Sequence, residues 1–130
     1  MSINLSIIIP HFDIPEMLET LLASIPQDKG IQIIVVDDKS DVSYLKTIDK
    51  LKNKYNFEFY QNDKNKSAGS CRNIGLEKAQ GKWILFADSD DCLLDEFYNS
   101  VSKYFDSEND VVFFPPTSVL SDNGKIADRH

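Results

Sequence analysis

Ile31-Gln32-Ile33-Ile34-Val35-Val36-Asp37-Asp38 reads as a buried strand that stops abruptly at two carboxylates. A run this rich in β-branched residues suits a strand covered on both faces, as in a parallel sheet. The pattern returns at Trp83 to Ala87, which runs straight into Asp88-Ser89-Asp90-Asp91. Around these two, Ile3 to Ile9 is an apolar strand stopped by Pro10, and Phe57 to Tyr60 is a short one. Asp110 to Phe114 reads as a fifth, stopped by Pro115-Pro116. Between the strands the apolar spacing turns helical. Met17, Leu18, Leu21, Leu22 and Ile25 mark one helix, with Pro15 in its first turn. Tyr44, Leu45, Ile48 and Leu51 mark a second. Ala68 to Ala79 is a third, closed by Gly81, and Leu94 to Phe105 a fourth. Strands alternating with helices at this spacing predict an α/β fold, a mainly parallel sheet with helices on both faces. Beyond Pro116, Asp122-Asn123-Gly124 reads as a turn toward a further strand.

A chain of 130 residues holds one domain with a real core, not two. With 42% hydrophobic and 27% charged residues, it has the composition of a soluble globular protein. A net charge of −7 repels phosphate backbones and anionic lipid, which argues against nucleic acid as a partner. A small anionic ligand then needs a cation to accompany it. Cys71 and Cys92 have no metal-ligand spacing and are too few for a disulfide framework. They read as free thiols in a reducing cytoplasm. The apolar run Leu5 to Pro10 has no basic leader, so no signal peptide is expected. No stretch approaches the roughly 18 apolar residues of a membrane span.

In an open parallel sheet, ligands bind outside the carboxyl ends of the strands. Both acid clusters fall at such ends. Carboxylates crowded there disfavour one another's ionisation, and a bound divalent cation relieves the repulsion. Hard oxygen ligands suit magnesium or manganese, which take one or two carboxylates plus phosphate oxygens and water. Asp88 and Asp90 flank one small residue and reach one pocket if the segment is turned. The plainer alternative is a turn with helix caps, for which Asp37-Asp38-Lys39-Ser40 is a good sequence. Asp91 and Asp95 are expected to cap or lead the helix that follows. Two clusters in one small sheet favour the metal–nucleotide reading over the capping one.

Five segments together resemble family 2 glycosyltransferases, which share the GT-A fold. They are Ser6-Ile7-Ile8-Ile9-Pro10, Ile34-Val35-Val36-Asp37-Asp38-Lys39-Ser40 and Arg72-Asn73-Ile74-Gly75, then Ala79-Gln80-Gly81-Lys82-Trp83-Ile84 and Phe86-Ala87-Asp88-Ser89-Asp90-Asp91. Their order and spacing match from Leu5 to Pro116, and the ordered set is far more specific than any one motif. The resemblance implies a Rossmann-like three-layer sandwich that forms the nucleotide-sugar-binding half, residues 1–130 being one such domain. It implies that Asp38 accepts hydrogen bonds from the nucleotide base, consistent with a carboxylate that only accepts. Pro10 becomes part of the wall beside the base. Asp90 becomes the direct ligand of Mn2+ or Mg2+, with Asp88 nearer the ribose and sugar. Arg72 becomes the donor-side arginine, its fork suited to phosphate or sugar oxygens; a surface helix arginine is its alternative. His11-Phe12-Asp13 stands where the family commonly has Thr-Tyr-Asn, and Lys39 replaces a common glycine. Asp41 follows Ser40 without the usual threonine. These departures touch the base contacts and leave the fold expectation unchanged. His11 itself reads as a loop histidine, neither ligand nor base.

The resemblance further implies sugar transfer from a nucleoside diphosphate sugar, UDP-linked, to an acceptor hydroxyl with inversion. The acceptor would be a glycan or lipid-linked species of a cell-surface polysaccharide. Inversion needs a carboxylate base opposite the leaving group. In the family that base lies in the acceptor half, so it is expected beyond His130. The expected location is cytoplasmic, at the inner face of the membrane where lipid-linked acceptors lie. Two other readings stand beside this one: a non-catalytic nucleotide-binding or assembly module, and a receiver-like phosphoacceptor domain. A receiver needs an acid pair after the first strand and a lysine after the fifth. Here those positions hold Pro10-His11 and Phe114-Pro115-Pro116.

Overall fold

The computed structural model describes residues 3–27, 30–63 and 67–112, together with the backbone of 117–119 and 126–128. Strands β1 (Leu5–His11), β2 (Ile31–Asp37), β3 (Glu58–Gln61) and β4 (Trp83–Phe86) form one sheet in the order β3-β2-β1-β4. All three pairings are parallel. Helices α1 (Pro15–Ser24), α2 (Val42–Lys54), α3 (Ala68–Lys78) and α4 (Phe97–Ser102) connect or follow them. Leu5, Ile7 and Ile9 of β1 pack with Leu18, Leu21 and Leu22 of α1, Ile48 and Leu51 of α2, and Phe97 and Val101 of α4. On the opposite face, Ile8, Ile34 and Val36 meet Cys71 and Ile74 of α3. The α/β three-layer arrangement is as the sequence implies. Every β1 side chain is buried, as expected of an inner strand with helices on both sides.

β1 runs through Pro10 to His11 rather than stopping before it. A proline is costly in a central strand only where its missing N–H leaves a gap in the ladder. Here Ile8 O accepts from Ala87 N, so Ile8 and Pro10 turn their backbone groups toward β4. β4 has already ended by then, its last pair being Ile8 with Phe86. The absent donor therefore costs no ladder bond.

Three boundaries differ from the sequence expectation. The fourth helix covers Phe97–Ser102 only, because Tyr104 N and Phe105 N donate three residues back, to Val101 O and Ser102 O, and the chain tightens into turns. Asp110 to Val112 belongs to no strand, and Val111 is exposed; Phe113 to Pro116 lies outside the described residues. Gly81 does not end α3 by a left-handed turn, since the C-cap is Ala79 in extended conformation. A Cβ at Gly81 would lie 2.6 Å from Ser6 N and 2.8 Å from Leu5 C, so glycine is required there by the approach of β1. Beyond the main sheet, β5 (Thr117–Val119) pairs antiparallel with β6 (Ile126–Asp128), which agrees with a strand after the tail turn. Asp122 to Gly124 themselves lie outside the described residues. No helix among the described residues is long and apolar enough to cross a membrane.

Candidate nucleotide-sugar site

Both acid clusters emerge at the carboxyl end of the sheet, on either side of the end of β1. Asp38 follows β2, and Asp88 to Asp91 follow β4. With one strand between them, the two strand ends are about 10 Å apart. The carbonyls of Pro10 and His11 anchor both loops. Asp38 N donates to His11 O at 2.8 Å, and Ser89 Oγ donates to Pro10 O. Pro10 is thus a buried wall between the clusters.

The second cluster is a closed turn. Asp88 N donates to Asp91 Oδ2 at 2.9 Å, and Asp91 N donates to Asp88 O at 2.9 Å. Asp91 therefore caps the turn and not a helix, contrary to the sequence expectation. α4 starts later, after Glu96, with no side-chain cap from Asp91 or Asp95. Ser89 is buried and points inward, while Asp88, Asp90 and Asp91 are exposed. The turned geometry sets Asp88 and Asp90 to either side of one anchored serine.

α3 spans the two clusters from the other face. It is capped by Ser67, whose Oγ accepts from Ser70 N at 3.2 Å. From its first turns, Arg72 Nη2 donates to Asp88 Oδ1 at 3.2 Å. Asn62, buried at the end of β3, donates from Nδ2 to Asp38 Oδ1 at 3.3 Å and to Ser70 Oγ at 3.2 Å. Cys71 lies beneath; burial pushes its thiol up to about 11, and the Asp38 charge adds to the rise. It is no nucleophile at neutral pH.

Asp37, next to Asp38, serves a different purpose. It is fully buried and accepts from His11 Nδ1 at 2.8 Å, Ser40 Oγ at 2.6 Å and Ser40 N at 2.8 Å. Burial alone would raise its carboxyl, but the bonds from His11 and Ser40 outweigh it and hold it below its ordinary value. His11 Nε2 accepts from Ile14 N at 3.2 Å, so the ring is neutral with its proton on Nδ1. His11 is therefore the buried end of β1 and not a loop residue, and it ties the first loop to the second. Asp13 N donates to Ser40 Oγ at 2.8 Å, and Asp41 N donates to Asp13 Oδ1 at 3.0 Å. The crossing forces Asp13 and Lys39 into left-handed backbone, at φ 56° and 59°. That conformation explains why glycine suits position 39.

Of the sequence-predicted residues, Asp38 is tied to the end of β1, Arg72 bonds Asp88, Pro10 lies buried between the two loops, and Asp90 is exposed on the second turn. The inward partners His11, Ser40, Asn62 and Ser89 were not assigned from sequence. Their only signal was being polar at or just past strand ends, which most turn residues share. Among the described residues, no group of three or more His, Cys, Asp or Glu side chains is set to hold a metal. The protein offers carboxylates from one turn, the donor set of a magnesium or manganese site completed by phosphate and water.

Staphylococcus aureus TarS, a poly(ribitol-phosphate) beta-N-acetylglucosaminyltransferase, is 29% identical over 109 residues, 80% of this chain and 19% of TarS. A poly(ribitol-phosphate) beta-glucosyltransferase of Bacillus spizizenii is 36% identical over 94 residues, 68% of this chain and 15% of that protein. The chain thus spans a fifth or less of the length of these two relatives. The crystal structure of TarS 1-349 in complex with UDP-GlcNAc superposes with a TM-score of 0.70 at 30% identity, covering 80% of this chain and 31% of that one. A Pyrobaculum calidifontis mannosyltransferase in complex with GDP-Man and Mn2+ reaches 0.71 at 15% identity over 83% of this chain and 34% of its own, which shows the shared fold alone. The family profile described as Glycosyl transferase family 2 matches residues 6–130, and the chain, with its parallel sheet and paired acid turns, belongs to that family.

Proposed function

We propose that the chain forms the nucleotide-sugar-binding part of a glycosyltransferase that moves a sugar from a UDP-linked donor to an acceptor hydroxyl, with inversion, in cell-surface glycan synthesis. The observation that supports this reading is that Asp38 and the turn carrying Asp88 and Asp90 are both anchored to the end of β1, with Arg72 bonded to Asp88. The relative in complex with UDP-GlcNAc and the two poly(ribitol-phosphate) transferases support the donor class and the kind of product. In this reading Asp38 accepts from the base, Pro10 lies along it, and Arg72 leaves Asp88 to meet the diphosphate. An exposed pair such as Arg72–Asp88 is worth only about 0–1 kcal/mol, so exchanging it for a phosphate contact is easy.

Asp90 is proposed as the direct ligand of Mn2+ or Mg2+, with Asp88 beside it. The cation would supply Lewis-acid stabilisation of charge on the leaving diphosphate. The turn anchored by Ser89 leaves both carboxylates exposed, and a cation bound there would offset an acidic surface that otherwise repels the diphosphate. The acceptor is proposed to be a glycan or lipid-linked species, and no described residue is assigned as the inverting base. The free Cys71 and Cys92 suit the proposed cytoplasmic location, at the inner face of the membrane.

Calorimetry of UDP binding to this chain, with Mn2+ or Mg2+ and then with a chelator, tests the proposal. Binding is expected only with the cation. Equal affinity under both conditions would remove the metal from the reading, and no UDP binding under either would remove the function.

A further inference from the structure

His11 and Asp37 form a buried ionisable pair that the proposed reaction leaves unused. The ring is 2% exposed, and its two nitrogens are committed in opposite senses. Nδ1 donates to Asp37 Oδ1 at 2.8 Å, while Nε2 accepts from Ile14 N at 3.2 Å. Ile14 is the entry residue of α1, and no side chain caps that helix. The neutral ring satisfies both partners, and a doubly protonated ring cannot. A second proton would make Nε2 a donor aimed at the Ile14 donor, where burial keeps water from mediating.

Asp37 does not take that proton in the ring's place. The bonds from His11 and Ser40 hold its carboxyl below its ordinary value, so it stays ionised where histidines titrate, and its charge draws a proton to the ring beside it. The other charged groups on the elements around the ring are Asp13 and Glu16 at the start of α1, Asp38, Lys39 and Asp41 in the second loop, and the acid turn tied to Pro10. All of these are exposed or half-buried, so water screens them and Asp37 dominates. Asp13, beside Ile14, sits in left-handed backbone and is held there across the loops. Its N donates to Ser40 Oγ at 2.8 Å, and its Oδ1 accepts from Asp41 N at 3.0 Å. A non-glycine residue keeps that conformation only while its surroundings impose it.

We propose that His11 is a proton-operated latch: a second proton on its ring breaks the bond to Ile14 and frees residues 12–14 from the loop that carries Asp38. The latch is closed at neutral pH and opens as the solution is acidified through the histidine range. Once Ile14 moves, Asp13 relaxes toward ordinary backbone and gives up Ser40 and Asp41, which hold the second loop on either side of Asp38 and Lys39. Nucleotide affinity then falls with the pH. That consequence rests on the proposed contact between Asp38 and the base; the opening itself is a property of the free chain.

The experiment is an NMR titration of the free chain from about pH 8 to about pH 5, on wild type and His11→Asn, with UDP calorimetry at saturating Mg2+ near both ends of that range. Asparagine keeps an N–H donor for Asp37 and removes the titration. In wild type the Ile14 and Asp13 amide signals should move with the same midpoint as the His11 ring. UDP affinity should fall about fivefold or more beyond any change in His11→Asn, a comparison that cancels the titration of UDP itself. The wild-type titration carries the test even if His11→Asn melts early. A ring that stays neutral down to about pH 5, or one that titrates while the Ile14 and Asp13 amides stay fixed, would overturn the latch. So would an equal acid loss of UDP affinity in a folded His11→Asn. Amides that move with the ring in a chain that binds UDP at no pH would uphold the latch and overturn the proposed function instead.

Discussion

Gly75 of α3 faces Ile8 of β1, and replacing it with alanine reads the packing of that helix on the sheet directly. A Cβ there would lie 2.4 Å from Ile8 Cγ2, 3.2 Å from its Cγ1 and 3.3 Å from its Cβ. Carbon atoms prefer about 3.5–4.0 Å, so the clash exceeds 1 Å. Ile8 is fully buried in the inner strand β1 and β-branched, so it has little freedom to turn away. Overpacking typically costs about 1–3 kcal/mol, and a clash this deep against an immobile side chain falls in the upper half of that range, about 2–3 kcal/mol. Alanine returns about 1 kcal/mol of helix propensity, for a net loss of about 1–2 kcal/mol. Denaturant and thermal unfolding should show it, with a melting point lowered by about 3–6 °C. Because α3 carries Arg72 and Ser70, UDP affinity should fall as well. Ile8→Ala alone should cost about 3 kcal/mol through its cavity. In the double variant the alanine methyl enters that cavity, so the combined loss should be at least about 1 kcal/mol less than the sum. A melting point for Gly75→Ala equal to or above wild type, or strict additivity with Ile8→Ala, would refute close packing of α3 on β1.

Gly81→Ala should cost more than Gly75→Ala, about 3 kcal/mol or more, because its Cβ meets the backbone of Leu5 and Ser6, which cannot rotate aside; chemical denaturation ranks the two. Lys39→Gly should stabilise by up to about 1 kcal/mol by relieving the left-handed φ of 59°, and a loss of stability would show that the Lys39 side chain matters more than its backbone. Asp37 has a lowered folded-state carboxyl, so its contribution is present above the unfolded value and lost as pH falls through the lower folded one. Wild-type melting points should therefore fall below about pH 4, and those of Asp37→Asn should start lower at neutral pH and change less over that range. Asp90→Ala should abolish the Mn2+ requirement together with most UDP affinity, whereas Asp38→Ala should weaken UDP yet keep its dependence on Mn2+; titration of each variant with and without chelator separates them.

The strand order of the sheet could not be read from the chain, but its composition could. Ile31 to Val36 and Leu5 to Ile9 have too many adjacent β-branched residues for a one-sided strand, and burial on both faces is what they received. The helices α1 to α3 were legible because apolar periodicity acts locally, and so were the acid turns, because a run of aspartates cannot continue a buried apolar strand. What needed tertiary structure were the contacts between residues far apart in sequence. His11 and Asp37 lie 26 residues apart, Ser89 and Pro10 lie 79 apart, and Asn62 and Asp38 lie 24 apart. A hydrogen bond is decided by distance and direction in space, and no periodicity encodes it. The same holds for Gly75 and Gly81, whose motif positions were visible but whose reason is the surface of β1 against them. In the Asp37-Asp38 pair the two residues are chemically alike, and before the structure only the family resemblance singled out Asp38. Only the register of β2 against β1 and β3 decides that Asp37 is buried to lock the loops while Asp38 is left partly exposed, since successive residues point to opposite sides.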